Sequence, residues 1–268
     1  MAILTVCRET GAHGEEIARA VAEKLGYEYV ARDAIFAEIR EYGENWFKWG
    51  QEMDDHKPSL WERFDLSFAG FVALKESIML QHAIKNNVVL MGRGGNWMLE
   101  DVPHALRVRI MAPMEKRIEN VVKKEAIDTE SAREMLEDGD RERAAYLKAI
   151  YHKDWDKDKY YDVVFDTGKL SDDEVVTMIV DELKAKDSKF TPKAGEKLQQ
   201  MALAALVKAK VITGLKSFIP TLEVAHDGKQ IVLKGTIHKA EERTQILDIT
   251  KSVAGDTPVK DKLHYRGA

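Results

Sequence analysis

The sequence predicts an α/β protein in which a mostly parallel sheet carries helices on both faces and a smaller α+β module follows. Short apolar runs alternate with segments of helical periodicity over about the first 184 residues, as in parallel sheets. The pattern then changes, because a polar stretch with Pro192 and Gly195 precedes a helix and a hairpin. Charge changes too: residues 191–268 hold 13 Lys and Arg against 8 Asp and Glu, in a chain of net charge −5.

We therefore predict a first domain at residues 1–184, a linker at 185–195 and a second domain at 196–268. No apolar run approaches the ~20 residues of a membrane span, and we expect no signal peptide. The single cysteine, Cys7, excludes an internal disulfide and favours a reducing, cytoplasmic location.

Apolar patterns give the elements of the first domain in order. "MAILTVCRE" is predicted as a strand and "EEIARAVAEKLGY" as a helix that ends at Gly26. A second strand, "YEYVARD", precedes a mostly helical segment at 34–85 in which aromatic residues concentrate. These aromatic residues either pack a core or lid, which we favour, or form a wall for a planar base. They are Trp46, Phe47, Trp49, Trp61, Phe64 and Phe68.

Two further strands, "NNVVLMGRGG" and "ALRVRIMAP", have the continuous apolar pattern of buried parallel strands. A long helix is predicted from about Ser131 to Tyr151, and "YDVVFDTGKLSDDEVV" predicts a last strand before a helix capped by Ser171 or Asp172. Ligands of such a sheet gather at the carboxyl ends of its strands. The turns "RETGAHG" and "GRGG" both lie there.

The second domain has a different order of elements. A helix from about Glu196 to Ala209 is followed by a hairpin that turns at Asp227 and Gly228. An amphipathic helix then ends at Gly255, and "TPVKDKLHY" alternates as a last strand.

The first turn has the glycines of a phosphate-binding loop but lacks its lysine. In such loops, backbone N–H groups and a helix N-terminus point at the phosphates, a lysine reaches the terminal phosphates, and a Ser or Thr joins the Mg²⁺ shell. Gly11 and Gly14 leave room for a phosphate before a helix that begins near Glu15. The same pattern fits an ordinary tight strand-to-helix turn, so both interpretations stay open.

Three arginines outside this turn favour the binding of an anion. Arg93 lies between glycines at the end of a buried strand, where its guanidinium either forks onto a phosphate or forms a structural salt bridge. Arg141 and Arg143 lie on a helix that either closes over a polyphosphate or presents a solvated charged face.

Four segments in this order resemble the cytidylate kinase family, and most closely its divergent cytidylate-kinase-like branch. They are "CRETGAHGEEIARAVAEKLGYEYVARD", "GRGGNWMLEDVPHALRVRIMAPMEKRIENV", "DRERAAYL" and "YYDVVFDTGKLSDDEVV", and together they span about residues 1–183. The resemblance implies a P-loop-kinase-type sheet. It also implies transfer of the ATP γ-phosphate, with Mg²⁺, to a nucleoside monophosphate (CMP-like) or a similar small acceptor.

The resemblance implies roles for single residues as well. The nucleotide-binding set comprises Gly11, Ala12, His13, Gly14, Glu15 and Glu16. The acceptor-binding set comprises Asp33, Arg93 and Arg117, and the catalytic set comprises Arg8, Arg141 and Arg143. Arg8 would supply the charge of the missing lysine, and His13 either points at phosphate or is a plain turn residue.

Besides His13, which stands where the family usually has a glycine, this chain departs from the family at three positions. Gly14 occupies the place of the P-loop lysine, and Glu15 occupies that of the metal-binding Ser or Thr. Gly94 replaces the aspartate that follows the arginine in ordinary cytidylate kinases and helps to read the acceptor, which leaves the acceptor unassigned. Two alternatives therefore stay open: a nucleotide-binding sensor without turnover, and an assembly or membrane-tethering module that binds no nucleotide.

Two segments of the second domain, "LEVAHDGKQIVLKGTIHKAEERTQILDITKSVAG" and "TPVKDKLHY", resemble a BON domain. The shared pattern is a strand, a glycine turn, a strand ending in Gly235-Thr236, a helix and a last strand. This resemblance implies a lipid- or protein-binding module, and its positive charge favours an acidic partner, an anionic lipid surface or docking onto the acidic first domain. Without interleaved basic and aromatic residues, we expect no nucleic-acid partner.

Overall fold

The computed structural model of the protein describes residues 1–54, 66–215 and 217–266. The chain divides into two units, each formed by two separate stretches: Met1–Ala34 with Lys85–Thr191, and Ile35–Ile84 with Pro192–Ala268. The domains predicted at 1–184 and 196–268 are instead contiguous in sequence, and their boundaries stay a prediction.

The first unit contains the predicted parallel sheet. Its strands are β1 (Ile3–Arg8), β2 (Glu28–Val30), β3 (Val88–Met91), β4 (Ala105–Met111) and β5 (Val163–Asp166). They lie in the order β2-β3-β1-β4-β5, and every pair is parallel. The apolar runs of β1 and β3 are buried along almost their whole length, which confirms the strand prediction.

Helices connect the strands of the first unit, and further helices belong to the second unit. Within the described residues they are α1 (Gly14–Leu25), α2 (Arg32–Glu41), α3 (Glu44–Asp54), α4 (Leu66–Ala83), α5 (Gly95–Met98), α6 (Met114–Glu125), α7 (Thr129–Tyr151), α8 (Asp172–Asp187), α9 (Pro192–Gly214) and α10 (Ala240–Ala254). No helix in these ranges has the length and apolar character required to cross a membrane.

The main core of the first unit lies between the sheet and the helices α1 and α8. Apolar side chains at helical spacing on both helices, such as Ile17, Val21 and Ile179, pack onto Val6 and Val108 of the two central strands. On one side of this layer α5 packs against β1 and β4. The carboxyl ends of β1, β3 and β4 are thereby held at one edge of the sheet.

Helix ends explain two differences from the sequence-based boundaries. The long helix begins at Thr129, because the Asp128 carboxylate accepts from the backbone N–H groups of Glu130 and Ser131. The predicted linker at 185–195 is largely helical, since α8 runs to Asp187 and α9 begins with Pro192, a residue suited to the first helical position. Its polar composition reflects exposed helix ends.

The predicted cap of α8 is confirmed. The Ser171 hydroxyl accepts from Glu174 N–H, and the Glu174 side chain returns a bond to the Ser171 backbone.

The second unit combines helices with a small sheet. The strands β6 (Glu223–His226), β7 (Ile231–Ile237) and β8 (Val259–Tyr265) lie in the order β6-β7-β8, with an antiparallel hairpin and a parallel pair. The hairpin turns at Asp227 and Gly228 as predicted, and α9 packs against α4. Trp46 packs directly on Gly70, as expected of a packing residue, while Trp61 and Phe64 lie outside the described residues.

Candidate functional site

The turn between β1 and α1, residues 9–13, projects from the carboxyl edge of the sheet. Gly11 (φ 79°) and His13 (φ 57°) both adopt left-handed backbone conformations. A Cβ at position 11 would also lie 2.8 Å from the backbone oxygen of Arg117, so only glycine fits there. The chain thus turns within a few residues into α1, whose first N–H groups, from Gly14 onward, lack partners within the helix.

Side chains from α6 and from the residue after β5 bind the carbonyl groups of this turn. Three donors bond successive carbonyl oxygens: Arg117 Nε to Thr10 O (2.7 Å), Asn120 Nδ2 to Gly11 O (2.8 Å) and Thr167 Oγ1 to Ala12 O (3.2 Å). In a trans peptide the N–H lies opposite the C=O, so the amide that follows each carbonyl points away from these side chains. The turn therefore fixes the directions of the Gly11 and His13 amides, while the Ala12 amide donates to Glu9 O at 3.3 Å.

The side chain of Arg8 occupies the space that a residue at position 14 would need. A Cβ built on Gly14 lies 2.4 Å from Arg8 Cβ and 2.8 Å from Arg8 Cγ. Arg8 is half-buried and lines the same cleft as the turn. The aliphatic part of the Arg8 side chain thus lies over Gly14, the position at which a P-loop has its lysine.

Arg143 reaches this point from α7. Its Nη1 donates to Arg8 O (2.9 Å) and its Nη2 to Thr10 Oγ1 (3.3 Å), while its Nε is buried without a hydrogen-bond partner among the described residues. Burial lowers the pKa of Arg143 to about 10, and the positive charges of Arg8 and Arg93 act in the same direction. Arg93 lies over Tyr146 of the same helix α7, so Arg8, Arg93 and Arg143 all lie near the carboxyl edge of the sheet, where positive charge favours an anion.

The other two predicted arginines are placed differently. Arg141 is 69 % exposed and pairs with Asp138, so its side chain is not brought to the turn in this conformation. Arg117 is 4 % exposed and forms a bidentate pair with Asp140, at 2.8 and 3.0 Å. Its guanidinium is therefore engaged in binding the turn from α6.

Glu9 is a site residue that the sequence reasoning missed. Its carboxylate accepts from Arg109 Nη2 (2.9 Å) and from Ala112 N–H (3.3 Å), and it lies 3.6 Å from Arg117 Nη1. A buried charge requires a partner, and Arg109 is the buried one of the two arginines in β4. The presence of Arg109 in a buried strand could therefore have predicted a carboxylate partner such as Glu9.

The predicted nucleotide-binding side chains lie around the turn with partners of their own. His13 Nδ1 lies 2.9 Å from Asp172 Oδ2, so its ring ties the turn to the start of α8. Ala12 is buried, Glu15 pairs with Arg19 one helical turn away, and Glu16 pairs with Lys124 of α6. The backbone, more than these side chains, is available to a phosphate.

At the predicted acceptor side, Arg93 follows β3 and stacks its guanidinium 4.9 Å from the ring centroid of Tyr146. A Cβ on Gly94 (φ 95°) would lie 2.2 Å from the hydroxyl oxygen of Tyr151, whose ring stacks on Trp97 at 4.9 Å. Tyr151 thus fills the space that a side chain at position 94 would occupy. Asp33 lies exposed in the first turn of α2.

A cleft of about 530 Å³ opens between the turn, the first turn of α1 and the facing side of α6. Its wall includes Arg8, Gly11, Gly14 and, across the opening, Lys123 and Lys124. Among the described residues, no group of three or more His, Cys, Asp or Glu side chains is arranged to hold a metal ion by itself.

Known proteins resemble the region that contains this cleft. The family model described as "Cytidylate kinase-like family" matches residues 3–169. The cytidylate kinase of Methanocaldococcus jannaschii is 31 % identical over 189 residues, which cover 68 % of this chain and 99 % of that protein. The cytidylate kinase of Methanopyrus kandleri is 25 % identical, over 66 % of this chain and 90 % of its own length.

One solved structure supports the fold. The crystal structure of an uncharacterized protein from Eubacterium ventriosum ATCC 27560 has a TM-score of 0.55 at 18 % identity, covering 69 % of this chain and 99 % of its own.

Proposed function

The chain belongs to the cytidylate kinase-like family, and on that premise we propose that it transfers the γ-phosphate of ATP to a nucleoside monophosphate or a similar small acceptor. The observation that carries this proposal is the contact of Arg143 with Arg8 O and Thr10 Oγ1, beside a turn whose carbonyl groups are held by Arg117 and Asn120. Guanidinium groups donate charge-assisted, often bidentate hydrogen bonds to phosphate oxygens, so these arginines suit an anionic substrate.

Phosphoryl transfer depends mainly on positioning and on neutralising the charge of the transferred group. In the proposed site the amides of Gly11, His13 and Gly14 bind the donor phosphates, while the Ala12 amide donates to Glu9 O at 3.3 Å. Arg143 bridges donor and acceptor, since it donates to Arg8 O and lies on α7 one helical turn before Tyr146, over which Arg93 stacks. Arg93, at the end of the neighbouring strand, holds the phosphate of the acceptor.

The remaining predicted arginines have supporting roles in this proposal. Arg117 positions the turn through Thr10 O and Asp140. Arg141 would reach the transferred phosphate only if α7 rotated, because it now pairs with Asp138 at the surface.

The residues at the start of α1 fit a magnesium complex of ATP. Mg²⁺ keeps several waters and is usually held by one or two carboxylates together with phosphate oxygens, so no protein-only cage is required. Glu15 and Glu16 both line the cleft, and we assign Glu15 to the metal through a water molecule. When bound, the ion would neutralise charge on the phosphates.

The acceptor is proposed to be CMP or a related monophosphate, although Gly94 replaces the aspartate that helps to recognise the acceptor in ordinary cytidylate kinases. Tyr151 fills the space beside Gly94 where ordinary family members carry an aspartate. Asp33, in the first turn of α2, remains the proposed start of the acceptor segment.

A coupled assay of ADP release over a panel of nucleoside monophosphates and other small acceptors tests this function. We expect ADP release that depends on one class of acceptor and on Mg²⁺. ATP binding without turnover on any acceptor would overturn the kinase and would indicate a nucleotide sensor instead. Measuring ATP binding in the same samples by calorimetry separates that outcome from a chain that binds no nucleotide.

For the C-terminal part we propose a cytoplasmic, BON-like module at residues 196–268 that binds a lipid or a protein. The order α9, β6, β7, α10, β8 and the positive charge of this segment support the proposal. Co-sedimentation of the full chain with anionic and neutral vesicles tests the lipid form, and equal recovery with both would contradict it.

A further inference from the structure

One face of α6 carries three polar side chains that follow the chain from the turn into α1. Arg117, Asn120 and Lys124 are spaced by three and four residues, so they share a face of the helix. The first two donate to consecutive carbonyl oxygens of the turn. Lys124, one helical turn further on, places its Nζ 3.5 Å from the carboxylate of Glu16.

This last contact differs from the other two in its strength. Arg117 is 4 % exposed, whereas the side chains of Lys124 and Glu16 are 64 % and 50 % exposed. Solvent-exposed ion pairs typically contribute only about 0–1 kcal/mol. The Lys124 ammonium can therefore exchange its carboxylate partner for a phosphate at little cost.

The position of the pair is where a phosphate is expected. Glu16 is the third residue of α1, so Lys124 contacts a side chain of the first helical turn, whose N–H groups attract anions. Lys124 also lines the same cleft as Gly11, Gly14 and Arg8. A lysine supplies a compact point charge, the usual counter-ion of nucleotide phosphates in loops of this kind.

The start of α1 itself has no space for such a lysine. The Arg8 stem lies within 2.4 Å of where a Cβ on residue 14 would be, so a cation for the donor phosphates must come from another element. We infer that Lys124 of α6 leaves Glu16 and binds the donor phosphates of ATP, taking the role of the lysine that position 14 lacks. This inference rests on the proposed function, because it names a further residue of the ATP site.

A purely structural role would be to fasten α6 to α1 through the ion pair. The two roles predict opposite effects on ATP affinity when Glu16, the partner of Lys124, is substituted. If the pair only joins the helices, Glu16→Gln and Lys124→Met should have similar effects on ATP binding. If Lys124 binds phosphate, Glu16→Gln should tighten ATP binding, because it frees the ammonium and removes a negative charge from the cleft.

Calorimetric titration of the full chain with ATP and with adenosine measures this difference. We expect Lys124→Met to weaken ATP binding about 10- to 100-fold, as for the loss of a charge-assisted hydrogen bond, without changing adenosine binding. Lys124→Arg should restore part of the affinity, and Glu16→Gln should tighten ATP binding about two- to fivefold. Lys116→Met is the matched control, since Lys116 lies on the same helix and pairs with Glu119.

Each contrary result has a distinct meaning. Equal ATP affinities of the wild type and Lys124→Met would overturn the inference while leaving the proposed function in place. So would Glu16→Gln binding ATP as weakly as Lys124→Met. A wild-type chain that binds no ATP would overturn the proposed function and this inference together. Urea unfolding of each variant shows that the compared chains are equally folded.

Discussion

A methyl group at position 14 tests whether Arg8 really occupies the place of the P-loop lysine. Gly14 opens α1 without the positive φ that would penalise a side chain. On backbone grounds alone, Gly14→Ala should therefore stabilise the protein by about 0.4–1 kcal/mol. The structure predicts the opposite sign, because the new Cβ would lie 2.4 Å from Arg8 Cβ and 2.8 Å from Arg8 Cγ.

The size of the effect follows from which atoms collide. Arg8 Cβ is attached directly to the backbone of β1, so it cannot swing aside as the end of a long side chain can. Overpacking of this kind typically costs about 1–3 kcal/mol, which exceeds the backbone gain. We expect the free energy of unfolding of Gly14→Ala to fall by about 1–2 kcal/mol. Equilibrium urea unfolding followed by tryptophan fluorescence measures it.

Two further variants isolate the cause. Gly139→Ala lies in α7 with nothing within 4 Å of the added Cβ, so it should raise the free energy of unfolding by about 0.5–1 kcal/mol. In an Arg8→Gly background the collision is gone, and Gly14→Ala should become neutral or stabilising. A Gly14→Ala chain as stable as the wild type would refute the placement of the Arg8 stem over α1.

Three other predictions address the arginines, a buried histidine and the acceptor turn. Arg143→Met should lower kcat/KM for ATP about 10²–10³-fold in the ADP-release assay, whereas loss of the exposed Arg141 pair should change it less than about fivefold. Burial lowers the pKa of His104 below the value near 6.5 of an unfolded chain. The free energy of unfolding should then fall as the pH drops below about 6.5, because the unfolded state takes up the proton first. Urea unfolding at several pH values measures this dependence. It should be weaker in His104→Leu than in the wild type. Gly94→Ala should lower the free energy of unfolding in the same assay, because its Cβ would meet the Tyr151 hydroxyl oxygen at 2.2 Å at a backbone φ of 95°.

Each of these has a clear contrary outcome. Equal losses from Arg141→Ala and Arg143→Met would mean that α7 presents both arginines to substrate. An unchanged pH dependence in His104→Leu would mean that other groups cause the acid sensitivity. A Gly94→Ala chain of wild-type stability would mean that Tyr151 moves aside freely.

The sheet and the turn at residues 9–13 could be predicted because their signals are local. The continuous apolar runs of β1 and β3 indicate buried parallel strands, and Gly11 and Gly14 mark a tight turn before a helix. Arg8 is adjacent to that turn in sequence, so its proximity to position 14 follows from the strand geometry. The same local signals gave the Ser171 cap of α8.

Side-chain roles that depend on packing between distant elements could not be predicted in this way. Arg141 and Arg143 are two residues apart, so they point about 200° apart around α7, and only its contacts reveal that Arg143 faces the turn. Arg117 is recruited by Asp140, on a different helix. Likewise, no local pattern indicates that α4 packs against α9, more than a hundred residues away.

The central claim is that a lysine-free turn binds the phosphates of ATP through its amides and the arginines around it. Calorimetric titration of the full chain with Mg–ATP tests it most directly. The account predicts saturable binding with one site per chain, weakened in Arg8→Ala and in Arg143→Met. If millimolar Mg–ATP produces no binding heat and no change in the urea unfolding of the wild-type chain, the account is wrong.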